Sequence, residues 1–290
     1  SRGLGDVYKR QILINGARPA SKNDTGSNVL GRTQANRVER IELIRGGAPG
    51  IDMQGYAVVV NVVLKKGASR QSIVEAKAIL FDGGRDIYGG SYQFTATNGD
   101  KSWGITLSDG TGMSDSNGPG RNVRHDGSGN LIRDERFEND GWGGGNGIRG
   151  NYASPFAGGK LEATARYGTS DWQNWQRLES PVALRQSAYA EDYKNGELGL
   201  TFTRPLAPRW TLETRAMHTF ETFDEVSTSD ETLNGAVSPQ QRFAADGESS
   251  ESILRGLVRH DFGKGLTVEA GGEVAYNMLD VKQAFTSSML

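Results

Sequence analysis

The chain has 290 residues, of which 40 are glycine, 8 proline and none cysteine, and its net charge is −2. Glycine near twice its usual ~7% shows no three-residue period and proline is scarce, which excludes collagen-like and proline-rich disordered chains. A balanced charge argues against a nucleic-acid protein, and 36% hydrophobic residues are too many for charge-driven disorder. The lack of cysteine removes thiolate catalysis, disulfides and Cys-ligated zinc. No run approaches the roughly 18 apolar residues of a membrane helix, which leaves a soluble β-rich protein or a β-barrel, whose membrane signal lies in alternation.

In chain order, residues 1–11 carry Asp6-Val7-Tyr8-Lys9-Arg10-Gln11, which reads as a translated library adapter and is set aside from fold reasoning. The last residues, 284–290, stop without a closing element, so the chain is expected to be a fragment at both ends. Residues 12–15 read as a strand entering a turn at 16–19. Residues 27–36 suit a short helix with Ser27 as its N-cap. Residues 38–44 mix apolar and charged residues in loose alternation, a strand followed by the turn 45–50. Residues 57–64 form an apolar run interrupted only by Asn61, a buried strand closed by Lys65, Lys66 and Gly67.

From residue 70 the text becomes two-residue alternation. Leu266, Val268, Ala270, Gly272, Val274, Tyr276 and Met278 fall on one face of a strand, and Thr267, Glu269, Glu273 and Asn277 on the other. Leu198, Leu200 and Phe202 alternate with Glu197, Gly199 and Thr201; Leu161, Ala163, Ala165 and Tyr167 alternate with Glu162, Thr164 and Arg166. Such strands have their two sides in different solvents. Short links at 98–100, 154–158, 205–208 and 263–265 alternate with long polar stretches near 113–141, 173–190 and 225–249. Tight turns at one end and long loops at the other are the habit of outer-membrane barrels. Aromatics sit toward strand ends, with Trp210 and Phe202 beside short turns and Tyr88, Phe220 and Tyr276 toward the long stretches, as in the girdles of two membrane interfaces.

The run from Arg37 through Val38-Glu39-Arg40-Ile41-Glu42 to Gly47, and then Asn61 through Lys66 to Gly67, resembles the C-terminal half of the plug of TonB-dependent outer-membrane receptors. That family carries V-E-R-I-E-V-x-R-G-P followed by G-V-I-N-I-V-T-K-K, and Ile12 to Gly16 is similar to its L-I-D-G segment. The chain departs where Gly47 replaces the usual proline, where residues 48–55 replace the family's loop, and where Val58 to Val60 replace a Gly-Gly pair. The resemblance covers about residues 12–69. It implies a partial plug at 12–69 and a partial barrel at 70–290 of about nine strands, in a family whose barrel has about 22. The fold expected is therefore an all-β transmembrane barrel, partial and built as an antiparallel meander, with a small α+β plug domain at the N-terminus.

The same resemblance implies location in the Gram-negative outer membrane and energy-coupled uptake of a scarce ligand such as a ferric siderophore. Its expected partners are the TonB complex, outer-membrane lipid and lipopolysaccharide, and a small extracellular ligand such as an iron chelate. Arg37, Arg40, Glu42 and Arg45 form a charged set on the plug and are the candidates for contact with the barrel. The inward faces expected from alternation carry Lys77, Arg149, Glu162, Arg166, Glu197, Glu213, Arg215, Arg255, Glu269 and Glu273, a lumen of both signs. External ligand-contact candidates are Trp142, Trp172 and Trp175 with Arg121 and Arg124, an aromatic and cationic set suited to an aryl or anionic chelate, and His125. Each of these residues has the simpler reading of loop packing or solvation.

Other motifs fall away. Gly145 to Gly150 fits G-x-G-x-x-G, yet it alternates as a strand and Pro155 follows, whereas a nucleotide fingerprint needs a helix after it. Asp126 to Asn130 starts like a calcium loop but has Leu131 and Phe137 where an EF-hand needs Gly and Glu, so it reads as a hairpin tip. His125, His218 and His260 have no metal-ligand spacing, and no G-x-S-x-G elbow is present, so no catalyst, cofactor or metal site is expected. Two other classes stay open: a non-transporting β-protein (an adhesin or carbohydrate-binding module) and a passive porin.

Overall fold

The computed structural model describes residues 12–16, 30–31, 33, 35–45, 58–65, 67–81, 86–114, 119–263 and 266–288. Its N-terminal part is a three-stranded sheet of β1 (Ile12–Ile14), β2 (Val38–Arg45) and β3 (Val58–Leu64). The apolar run of β3 takes the centre, parallel to β1 and antiparallel to β2, because only a central strand can bury both faces. Leu13, Val59 and Val62 are its buried core. Asn61 is buried among them and satisfied, accepting from the Gly16 amide at 2.8 Å and donating to Glu42 at 2.7 Å.

The helical half of the α+β expectation is not met. Among the described residues only Leu30 and Gly31 are α-helical, and Ala35–Arg37 makes a single 3-10 turn. The expected cap Ser27 and the adapter-like residues 1–11 lie outside the described residues.

A second sheet holds every described strand from residue 69 onward. Its strands are β4 (Ser69–Ile79), β5 (Ile87–Asn98), β6 (Lys101–Ser114), β7 (Gly120–His125), β8 (Leu131–Phe156), β9 (Gly159–Glu179) and β10 (Ala183–Ala207). β11 (Trp210–Leu233), β12 (Ala236–Val237), β13 (Gln240–Gly263) and β14 (Leu266–Ser288) complete it. The pairing order is β14-β13-β11-β10-β9-β8-β6-β5-β4, antiparallel throughout, with β7 flanking β8 and β12 flanking β11. This is an up-and-down meander that does not close, since among the described residues β4 and β14 do not pair.

The long polar stretches are not loops. β8, β10 and β13 have 26, 25 and 24 residues, against the roughly 9–11 that cross a bilayer at a tilt. Residues 173–179, 183–190 and 225–233 are paired strand, and the chain reverses in compact turns. One is Asn234-Gly235, with φ of 51° and 79°, a two-residue hairpin turn that needs left-handed backbone at both positions. Another is the 126–130 tip, where the Asp126 carboxylate accepts from the Ser128 and Asn130 amides at 2.9 and 2.8 Å. The strands continue because threonines, serines and aromatics suit a pleated backbone, and each strand satisfies its neighbour's amides.

Register places the alternating residues on two faces of one layer. Leu198 and Leu200 are 57% and 49% exposed, whereas Glu197 and Thr201, which flank them in the strand, are 3% and 5% exposed. A single layer buries one face only by curling over it or by having something seated on it, so the charged face is the concave one. All ten charged residues expected to face inward fall on it. Val268 and Val274 are also exposed and Phe202 is half-buried, so among the described residues no second layer covers the convex face as in a sandwich.

Candidate functional site

The convex face carries an apolar belt. On β14 it runs from Leu266 to Met278, beyond which Asp280 and Lys282 take over. At the short-turn end His260 stacks on Trp210 with ring centroids 4.2 Å apart and meets Phe262 edge-on at 4.2 Å. Phe156 and Phe202 meet at 6.2 Å nearby. At the opposite rim Tyr167 of β9 and Phe220 of β11 approach at 6.4 Å across β10, over Gly196, where a Cβ would collide with the Phe220 ring. Just past this rim pairing lines up Asp171, Asp192, Asp224 and Asp246 on four successive strands.

On the concave side the small sheet faces the wall across a gap of about 1100 Å³ with a mixed polar and apolar lining. Arg37, Arg40 and Glu42 line it from one side, and Gln93, Thr106, Arg149 and Glu162 from the other. Arg37, at the end of the 3-10 turn that leads into β2, donates from Nη2 to Thr97 Oγ1 of β5 at 3.0 Å, a direct bond to the wall. Arg40 turns back on its own strand, paired to Glu39 and Glu42 at 2.7 Å. The Asn61 amide, and then Arg40, hold the Glu42 carboxyl below its ordinary range. Arg45 is exposed and does not line the gap.

The external candidates do not form one surface. Alternation along β8 and β9 puts Trp142 and Trp175 on the convex face, both exposed, while the Trp172 ring lies on the concave face over Gly112 and Gly143. Arg121 pairs with Asp134 in the β7–β8 hairpin. Arg124 is exposed in register with Arg133, and His125 is exposed at the end of β7.

Two features of the outer concave face have no local sequence signal. Glu135 is 2% exposed, yet it receives Arg185 Nη1 at 2.5 Å, with Arg133 at 3.7 Å; Arg185 also reaches Glu231 at 2.7 Å. Beside this ion cluster lies an uncharged cleft with Gln176, Ser187, Ser229 and Gln241 in its floor. Both join residues from strands far apart in the chain, so only register brings them together.

No family model matches the chain, and no curated protein matches it. Among solved structures it is similar to the unliganded ferric citrate transporter FecA, at 14% identity and a TM-score of 0.34, covering 94% of this chain and 51% of that one. It is similar to BauA, the ferric preacinetobactin receptor from Acinetobacter baumannii, at 12% identity and a TM-score of 0.31, covering 96% of this chain and 53% of that one. The copper transporter OprC aligns at 11% identity and a TM-score of 0.20, over 97% of this chain and 52% of that one. The chain spans about half the length of each of these structures.

Proposed function

We infer that the chain is part of a TonB-dependent outer-membrane receptor, the C-terminal part of its plug with the first strands of its barrel, and that the whole protein takes up a scarce ligand such as a ferric siderophore. One observation carries the reading. A single curled layer is apolar on its convex face and charged on its concave face, and a small sheet that carries residues 38–45 of the plug-like motif is seated against the charged side. Lipid outside and water within is the arrangement that makes such a layer stable.

The mechanism follows from the gap. Arg37 bonds to the wall across it, whereas Arg40 and Glu42 pair with each other within the small sheet and leave the gap open to water. Solvated polar contacts of this kind are worth on the order of 0–1 kcal/mol each. A plug held by them can be displaced by a pull from the TonB complex without unfolding the wall. Outer-membrane lipid would cover the belt, lipopolysaccharide the rim beyond it, and the ligand would enter from the outer end of the concave face.

The test uses the full-length protein in a Gram-negative cell. It should sediment with the outer membrane, migrate differently in gels before and after heating, and support uptake of a labelled ferric siderophore only when the TonB complex is energised. Recovery in the soluble periplasmic fraction would refute the reading.

A further inference from the structure

On the concave face beyond the rim, the chemistry changes over two adjacent rows. Register aligns Gln176 of β9, Ser187 of β10, Ser229 of β11 and Gln241 of β13. The next row toward the belt holds Asn174, Tyr189, Ser227 and Phe243, with Phe285 of β14 at its end. Together they line a cleft of about 330 Å³, near the small end of the roughly 300–1,000 Å³ of small-molecule sites. Among the described residues no Lys, Arg, Asp or Glu lines it. That neutrality is not general to the face, because Arg185 and Glu231 lie in the row above and Glu191 and Glu225 in the row below.

The polar groups of the cleft are uncommitted. Among the described residues the side chains of Asn174, Gln176, Ser187, Ser229 and Gln241 have no hydrogen-bond partner in the protein. Across from Gln176, Asn139 of β8 is 8% exposed and its Oδ1 has no partner either. Tyr189 differs, since its hydroxyl donates to Glu225 Oε2 at 3.3 Å, which anchors its ring in the cleft wall. Burial, and then Glu191 and Glu225, push that phenol well above its usual range, so it stays a donor.

We propose that this cleft is a subsite for a neutral, hydroxyl-rich ligand with the chemistry of an oligosaccharide. Free amides and hydroxyls gain most from a partner that brings many uncharged donors and acceptors. The rings of Tyr189, Phe243 and Phe285 offer the apolar surface on which the C–H face of a sugar ring rests. An anionic chelate would lose hydration there with no cation in the lining to replace it. The inference rests on the reading of the concave face as a lumen open to the outside, and it narrows the ligand class within that reading.

The experiment uses the full-length protein in detergent micelles on an array of neutral oligosaccharides of glucose, galactose, mannose and xylose, with ferric citrate as the anionic comparison. Calorimetry with the best array ligand then compares variants. Gln176→Leu with Gln241→Leu should weaken binding about tenfold, the loss of two or so neutral hydrogen bonds. Tyr189→Ala should weaken it similarly and Tyr189→Phe hardly at all, with near-ultraviolet circular dichroism unchanged in each. No neutral ligand on the array, or full affinity in both weakened variants, overturns the proposal. Loss of ferric citrate binding through the same substitutions overturns it too. A protein that sits in the outer membrane and imports ferric chelates but binds no neutral oligosaccharide sinks this inference alone; glycan binding by a soluble periplasmic protein keeps the subsite and sinks the receptor.

Discussion

Replacing Leu200 by arginine tests the solvent assigned to the convex face. The belt on β14 spans twelve residue steps, from Leu266 to Met278. At ~3.4 Å per step that is about 41 Å of strand, or about 29 Å of height at a tilt near 45°, close to a hydrocarbon core. On β10 the short-turn end lies near Leu206, so Leu200, 49% exposed and flanked in register by Ala163 and Ala216, sits near mid-height. An arginine there should cost about 2–4 kcal/mol. Ala190 is on the same face of the same strand, ten residues on, or about 24 Å higher by the same arithmetic, beyond the aspartate row. Arginine at 190 should stay within about 0.5 kcal/mol of wild type. The assay is reversible urea unfolding in phospholipid vesicles, followed by tryptophan fluorescence. Equal costs at the two positions would mean that water, not lipid, covers both, and the assignment of the convex face would fail.

Other consequences are more local. Gly196→Val should destabilise by about 1–3 kcal/mol, because the new side chain takes the space of the Phe220 ring and separates it from Tyr167; a matched Phe220→Ala background should remove most of that loss in the same unfolding assay. Arg185→Met leaves Glu135 buried with only Arg133 at 3.7 Å, and should cost about 2–3 kcal/mol, somewhat under a fully unpaired buried charge, with faster proteolysis of the β7–β8 hairpin as the readout. Asp192→Asn relieves repulsion from Asp171 and Asp224 directly opposite it and should stabilise by about 0.5 kcal/mol at low salt, a gain that should vanish in high salt. Asp126 is held below its usual 3.8, first by the Asn130 amide, so its support of the hairpin tip is complete above that value and lost as pH falls through the lower folded value. Protection of the Ser128 and Asn130 amides, taken relative to their intrinsic exchange rates at each pH, should accordingly be constant near neutrality and fall only in strong acid.

Much of the architecture was legible because lipid and water write different letters. Where the two faces of a strand meet different solvents, as at Leu198, Leu200 and Val268, alternation is strict and the register of faces follows from the sequence alone. The three N-terminal strands were legible for a related reason, as β3 is apolar but for Asn61 and therefore central. Beyond the rim both faces meet water, so Ser227 to Thr232 lose the alternation while keeping the pairing, and a polar strand looks like a loop. The Asn234-Gly235 turn was a readable signal for that hairpin.

The sequence by itself determined which side of each belt strand is apolar, where the tight turns at one end of the belt fall, and that the N-terminal part holds three short strands. Only the tertiary structure decided how far the strands run past the belt, that Trp172 parts from Trp142 and Trp175, and that Gln176, Ser187, Ser229 and Gln241 share one floor. The physical reason is that a face is set by a residue's immediate neighbours in the chain, whereas a row across a sheet is set by hydrogen-bond register between strands whose partners lie tens of residues away.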